Sequence, residues 1–149
     1  MYLEMKNEKQ SEFNKLPLFF AYGHDQLRRE LDKRGATVKD IYSVDTGCFC
    51  LKKDKDIILE WLNKDHLEDI RKRMSEDGSF AEEAFFEEMS DHEYPINLQG
   101  DWEVASQFGD VEYDDAKTGE EYLAELGFGE NVFKAWRRAR KKVMKEPKG

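Results

Sequence analysis

Ile41-Tyr42-Ser43-Val44-Asp45-Thr46-Gly47-Cys48-Phe49-Cys50-Leu51 is the stretch that decides the fold class. Two apolar runs, 41–44 and 48–51, flank Asp45-Thr46-Gly47, and a short glycine-containing loop between such runs signals a β-hairpin. Upstream, Lys15-Leu16-Pro17-Leu18-Phe19-Phe20-Ala21-Tyr22 ends at Gly23 and reads as a third, buried strand. Pro17 belongs only at its start or on an edge, because proline has no N–H for the ladder. Between these runs, His24 to Arg34 places Leu27 and Leu31 on one helical face. Gly35 follows where a helix end prefers glycine. The reading of residues 1–53 is therefore strand, helix, hairpin.

Beyond Asp54 the period changes from two to that of a helix. Ile57, Ile58, Trp61 and Leu62 form one apolar face, and Asn63-Lys64 interrupts it. Leu67, Ile70 and Met74 recur at helical spacing up to Asp77-Gly78, with Asp65 and Glu68 spaced as a capping box. Ser79 and Glu82 are spaced as a second one, opening a helix with Ala81, Phe85 and Met89 on one stripe. Pro95 ends that element, since the residue before a proline is pushed from helical angles. Short helices are expected from Trp102 to Phe108, capped by Asp101, and from Gly119 to Leu126. A last one is expected from Asn131 to Lys145. The fold class is α+β: a small antiparallel sheet of about three strands with one inserted helix, then a mostly helical, acidic C-terminal half. A single domain, 1–149, is expected, in three parts: 1–53, 54–133 and a basic C-terminal helix at 134–149.

Charge is distributed very unevenly. The chain has 33 acidic and 24 basic side chains, a net charge of -9. Residues 1–53 carry +2, residues 54–133 carry -18 and residues 134–149 carry +7. Between Glu76 and Glu130, 18 carboxylates face the single cation Lys117. Such a field steers partners and repels polyanions, so direct nucleic-acid binding by this half is disfavoured. The tail places Val132, Trp136, Ala139 and Val143 on one stripe and cations elsewhere. It can therefore clasp the acidic block or dock on an anionic surface. No apolar run approaches the ~18 residues of a membrane span, and the first residues, MYLEMKNEKQSEF, hold no apolar signal region. No membrane contact and a cytoplasmic location in a bacterial host cell are the expectations.

Cys48 and Cys50 point to one face of a strand and are too close to bridge without strain. Zinc would need two further ligands, and His24, His66 and His92 are scattered, so both cysteines read as small apolar residues facing a core. Asp110, Glu112, Asp114 and Glu121 fall at positions 1, 3, 5 and 12 of a calcium-type loop. The glycine required at position 6 is replaced by Asp115, so no metal and no cofactor are expected. Asp91-His92-Glu93 is the one dense acid–histidine cluster. With Glu88 one helical turn before His92, it supplies the alternative catalytic set of Glu88, Asp91, His92 and Glu93. HExxH, GxSxG, Walker and GxGxxG patterns are absent.

Three stretches carry a resemblance. They are Lys9-Gln10-Ser11-Glu12-Phe13-Asn14-Lys15-Leu16-Pro17-Leu18-Phe19-Phe20-Ala21-Tyr22 with Asp25-Gln26-Leu27, then Ile41-Tyr42 with Thr46-Gly47 and Phe49, and finally Phe85-Phe86-Glu87-Glu88-Met89 leading to Asp91-His92-Glu93-Tyr94 and Gly100-Asp101. This pattern resembles a group of small uncharacterised proteins carried by phages, prophages and conjugative elements of Gram-positive and gut bacteria. Their sequences run FFAF…Q, a glycine hairpin, then a helix ending NHEY before a GD-type helix. Asp91 stands here for the usual Asn, and the acidic and basic tail is longer. The resemblance implies a structural signature at His92-Glu93-Tyr94 and no assigned activity.

The functional expectation is a non-enzymatic accessory protein of a phage or other mobile element, acting by protein–protein interaction. Its sharpest form is an acidic nucleic-acid mimic that inhibits a host defence or nucleic-acid-processing enzyme. The partner would be a basic protein of the host or the element, met by Glu82, Glu83, Glu87, Glu88, Asp101, Glu103, Asp110, Glu112, Asp114 and Asp115. The alternative is a small hydrolase or nucleotide-modifying enzyme built on the Glu88 to Glu93 set. Oligomeric state is left open.

Overall fold

Residues 2–14 fold as a helix although their pattern assigns them no element. The computed structural model describes residues 1–94 and 99–145. Its elements are α1 (Tyr2–Asn14), β1 (Phe19–Phe20), α2 (His24–Lys33), β2 (Ile41–Asp45), β3 (Cys48–Leu51), α3 (Lys55–Leu62), α4 (Glu68–Glu76), α5 (Gly78–Asp91), α6 (Gly100–Ala105), α7 (Gly119–Glu125) and α8 (Glu130–Lys145). The α+β class stands: a three-stranded antiparallel sheet among helices. The chain groups into two compact units. Lys9–Asp65 form one, and Met1–Glu8 with His66–Gly149 form the other.

The Lys9–Asp65 unit holds the sheet in the order β1-β3-β2. The hairpin pairs Ile41 with Leu51 and Tyr42 with Cys50, and a bulge falls between Ser43 and Asp45. Gly47 turns at φ 73°, a left-handed conformation that glycine adopts without a Cβ penalty. The strand expected over residues 15–22 shrinks to Phe19–Phe20, paired with Phe49 and Cys48. Residues 15–18 instead wind off the end of α1, with Leu16 N–H donating to Phe13 O. Pro17 could give the ladder nothing there. Helix α2 ends as expected at Gly35, φ 61°. Gly35 N–H donates to Asp32 O and Ala36 N–H to Leu31 O, which satisfies the last carbonyls.

Cys48 and Cys50 are free and buried, and burial pushes both thiols up from their ordinary range. The expected apolar face of α3 divides: Ile58 is buried, whereas Ile57 and Leu62 are exposed.

The second unit is a helical packing whose centre is α5 against α8, filled by Phe85, Met89, Val104, Phe108, Leu123 and Trp136. The stripe foreseen on α8 faces inward: Val132, Trp136, Ala139 and Val143 are buried, joined by Ala135. Cap positions differ from the expected ones. Asp77, one residue before α5, accepts from Ser79 N–H at 3.0 Å and Phe80 N–H at 3.2 Å, so the Ser79–Glu82 box does not form. Leu67, not Asp65, precedes α4, with no side-chain cap. The capping box that does form opens α7: Thr118 Oγ1 accepts from Glu121 N–H, and Thr118 N–H donates to Glu121. Asp101 lies inside α6 rather than capping it, and a 3₁₀ turn continues from Ser106 to Phe108. The stop expected at Pro95 lies outside the described residues.

Candidate functional site

The end of α5 organises the helical unit. Its last turn closes with Glu93 N–H on Ser90 O and Tyr94 N–H on Met89 O, the bonding that usually requires a glycine between them. Here that residue is Glu93 at φ 55°, the one non-glycine with positive φ among the described residues. A left-handed conformation costs an L-residue about 1–2 kcal/mol. This turn delivers Tyr94 into the core, its ring so close to Gly100 that a Cβ there would meet it at 2.7 Å. Arg140 Nε donates to the Tyr94 hydroxyl at 2.6 Å. Burial pushes that hydroxyl above the ordinary tyrosine range although the Arg140 bond opposes it. Asp101 Oδ2 accepts from Gly119 N–H at 3.1 Å. Tyr94, Gly100 and Asp101 thus build a corner joining α5, α6, α7 and α8.

Glu88 sits on the other side of that turn, fully buried at 0% exposure. Its Oε1 accepts from the Tyr2 hydroxyl at 2.6 Å and from Lys6 Nζ at 2.5 Å. His92 Nε2 lies 3.4 Å from Oε2, an ion-pair distance, while Oε2 makes no hydrogen bond among the described residues. His92 Nδ1 lies 3.3 Å from Glu103. Burial first, then the Glu88 carboxylate, pushes the Tyr2 phenol far above the usual tyrosine range. This is a buried charge held by neighbours from α1, α5 and the start of α6. Each hydrogen bond to such a charged acceptor contributes about 1.5–3 kcal/mol. Neither Tyr2 nor Lys6 is singled out by the sequence reading. The signal available was their i, i+4 spacing in a segment rich in helix formers.

Of the alternative catalytic set, only Glu88 and His92 meet. Asp91 and Glu93 are exposed. The two clefts described below are lined by other residues. The arrangement anchors α1 rather than presenting an acid and a base to a shared cavity.

The ten expected contact acids separate into three groups. Glu88 is buried, and a fully buried carboxylate presents no surface, so it leaves the contact set. Glu82, Glu83, Glu87, Asp101 and Glu103 are half-buried. Arg138 stands 3.6 Å from Glu82, Tyr2 N–H donates to Glu83, and Glu103 faces His92. Asp110, Glu112, Asp114 and Asp115 are exposed, on the loop between α6 and α7. The basic helix accounts for further acids: Arg137 grips Glu120 with two N–H groups and reaches Glu130 at 3.0 Å. Helix α8 is in this respect the charge-complementary clasp.

Two clefts flank Asp101 and Arg140. One, of about 720 Å³, runs along Trp136, Arg137, Lys141 and Met144 of α8. The other, of about 410 Å³, opens between Trp102, Tyr113, Asp114 and Asp115. Among the described residues, no group of three or more His, Cys, Asp or Glu side chains is placed to hold a metal ion. None of their helices is long and apolar enough to cross a membrane.

Fold and site together define an α+β protein with a helical unit clamped around one buried carboxylate and an acidic loop at its surface. The chain belongs to a family of unknown function, DUF7659, which matches residues 1–128. The family's span includes Tyr94, Gly100, Asp101 and the acidic loop but ends before α8. No curated protein and no solved structure matches the chain.

Proposed function

We propose that the protein is a non-catalytic accessory protein of a phage or other mobile element that docks on a basic protein of its host. The mobile-element setting rests on the resemblance of the three quoted stretches. The docking reading rests on one observation: Asp110, Glu112, Asp114 and Asp115 are all exposed on a single connecting loop, whereas Glu82, Glu83 and Glu88 of α5 are paired within the same chain. Nucleic-acid mimicry is the sharper form of this reading, and a cationic groove would meet this loop first. Clustered carboxylates raise association rates with a basic partner, and the effect falls steeply with salt.

The test is capture from a bacterial host lysate by the intact protein and by a variant with all four loop acids changed to Lys. The expected result is that basic proteins retained by the first are lost from the second and from both at high salt. Equal capture by the two would overturn the reading.

A further inference from the structure

The smaller cleft has walls of a kind the larger lacks. Trp102 and Tyr113 meet nearly at right angles, 76° between planes with centroids 5.8 Å apart, so two ring systems form a corner. The corner is rigid on one side because Trp102 Nε1 donates to Val111 O at 2.8 Å. The loop is pinned again where the Tyr122 hydroxyl donates to Asp114 O and accepts from Asp114 N–H. Tyr113 itself is 46% exposed, its ring open to solvent. Asp114 and Asp115 stand exposed at the rim, and Asp101 reaches the cleft from below. Asp101 is itself committed: its Oδ2 accepts from Gly119 N–H, and its carboxylate faces the Tyr94 hydroxyl and Arg140.

The rings and the rim ask for the same chemistry. Ring faces attract organic cations, best when two rings box them, and exposed carboxylates at the rim accept their N–H groups. Two cations also line the cleft: Lys117 Nζ is paired with Glu125, and Arg140 lies beside Asp101, which leaves the negative excess on Asp114 and Asp115. Resting on the docking reading above, we propose that this cleft receives an arginine or lysine side chain from the basic partner. The cation lies against the Trp102–Tyr113 corner, and its N–H groups reach the rim carboxylates of Asp114 and Asp115.

The full-length protein is titrated into a fluorescein-labelled Arg-Gly repeat peptide of about a dozen residues, read by fluorescence anisotropy at low and physiological salt. Tyr113→Ala removes an exposed ring without changing charge and is expected to weaken binding about two- to fivefold. Asp115→Asn combined with it is expected to bring the loss to about tenfold. Glu8→Gln, an exposed acid that lines neither cleft, removes the same charge as Asp115→Asn and should leave the affinity within about twofold. Circular dichroism verifies that each variant is folded.

Equal losses from Asp115→Asn and Glu8→Gln, with none from Tyr113→Ala, would overturn the cleft and leave diffuse acidic docking standing. No binding by the unaltered protein at low salt would overturn both. Tyr113-dependent binding of free spermine but not of the peptide would also overturn the proposal, since the occupant would then be a small polyamine.

Discussion

Removing one oxygen atom tests the buried cluster. In Tyr2→Phe the ring keeps its neighbours, Phe80 at 6.0 Å and Phe108 at 5.9 Å, and no cavity larger than a hydroxyl opens. What is lost is the 2.6 Å hydrogen bond to Glu88 Oε1, while Lys6 stays on the same oxygen. A hydrogen bond to a charged partner contributes about 1.5–3 kcal/mol, and with Lys6 retained the lower part of that range, ~1.5–2 kcal/mol, applies. The pH dependence has a definite sign. In the folded state the phenol is held well above its ordinary range. The unfolded chain ionises near pH 10, so this stabilisation is complete below about pH 10 and is lost as pH rises above it. By a pH of about 11 the difference between the parent and Tyr2→Phe should shrink by ~1.4 kcal/mol.

Urea unfolding, followed by Trp102 and Trp136 fluorescence in a Trp61→Phe background, reads the unit that contains Tyr2. The expected result is a lower midpoint at unchanged slope at neutral pH, and nearly coincident curves at alkaline pH. A neutral difference below about 0.5 kcal/mol, or one that persists undiminished at alkaline pH, would refute the argument.

Two other changes follow from backbone and packing. Glu93→Gly relieves the left-handed glutamate and should stabilise the protein by about 1 kcal/mol, measured as a rise in urea midpoint; a fall would mean the Glu93 side chain holds the turn itself. Gly119→Ala places a Cβ 2.3 Å from the Trp136 ring, which must shift, and should cost about 1–3 kcal/mol and change the Trp136 emission. Thermal denaturation within experimental error of the parent would show that the α7–α8 contact is looser than described.

The parts of the fold that rest on period and on glycine were legible in the sequence. The hairpin, the Gly35 helix end and the inward stripe of α8 follow from alternation, from left-handed φ and from helical spacing, all of which are local. The strand at 15–22 was overstated because an apolar run alone cannot tell a strand from the winding end of a helix, and Pro17 was the warning. Helix α1 carries few apolar residues, so its pattern is weak, although its composition of Leu, Glu, Met, Lys and Gln favours a helix. The candidate site was half legible. Glu88 and His92 were singled out together, but burial of a glutamate cannot be read from spacing, and its partners Tyr2 and Lys6 are more than 80 residues away in sequence. Tyr113 stands among acids in the sequence, and its contact with Trp102 is made only by the folding of the loop.

The four exposed acids lie on a connecting loop, while the buried carboxylate and the aromatic core fix the helices beneath it. Side chains at 110–115 can therefore vary with little toll on folding. Tyr122 and Trp102 hold that loop through its backbone, at Asp114 and Val111, so each new version hangs on the same two hinges.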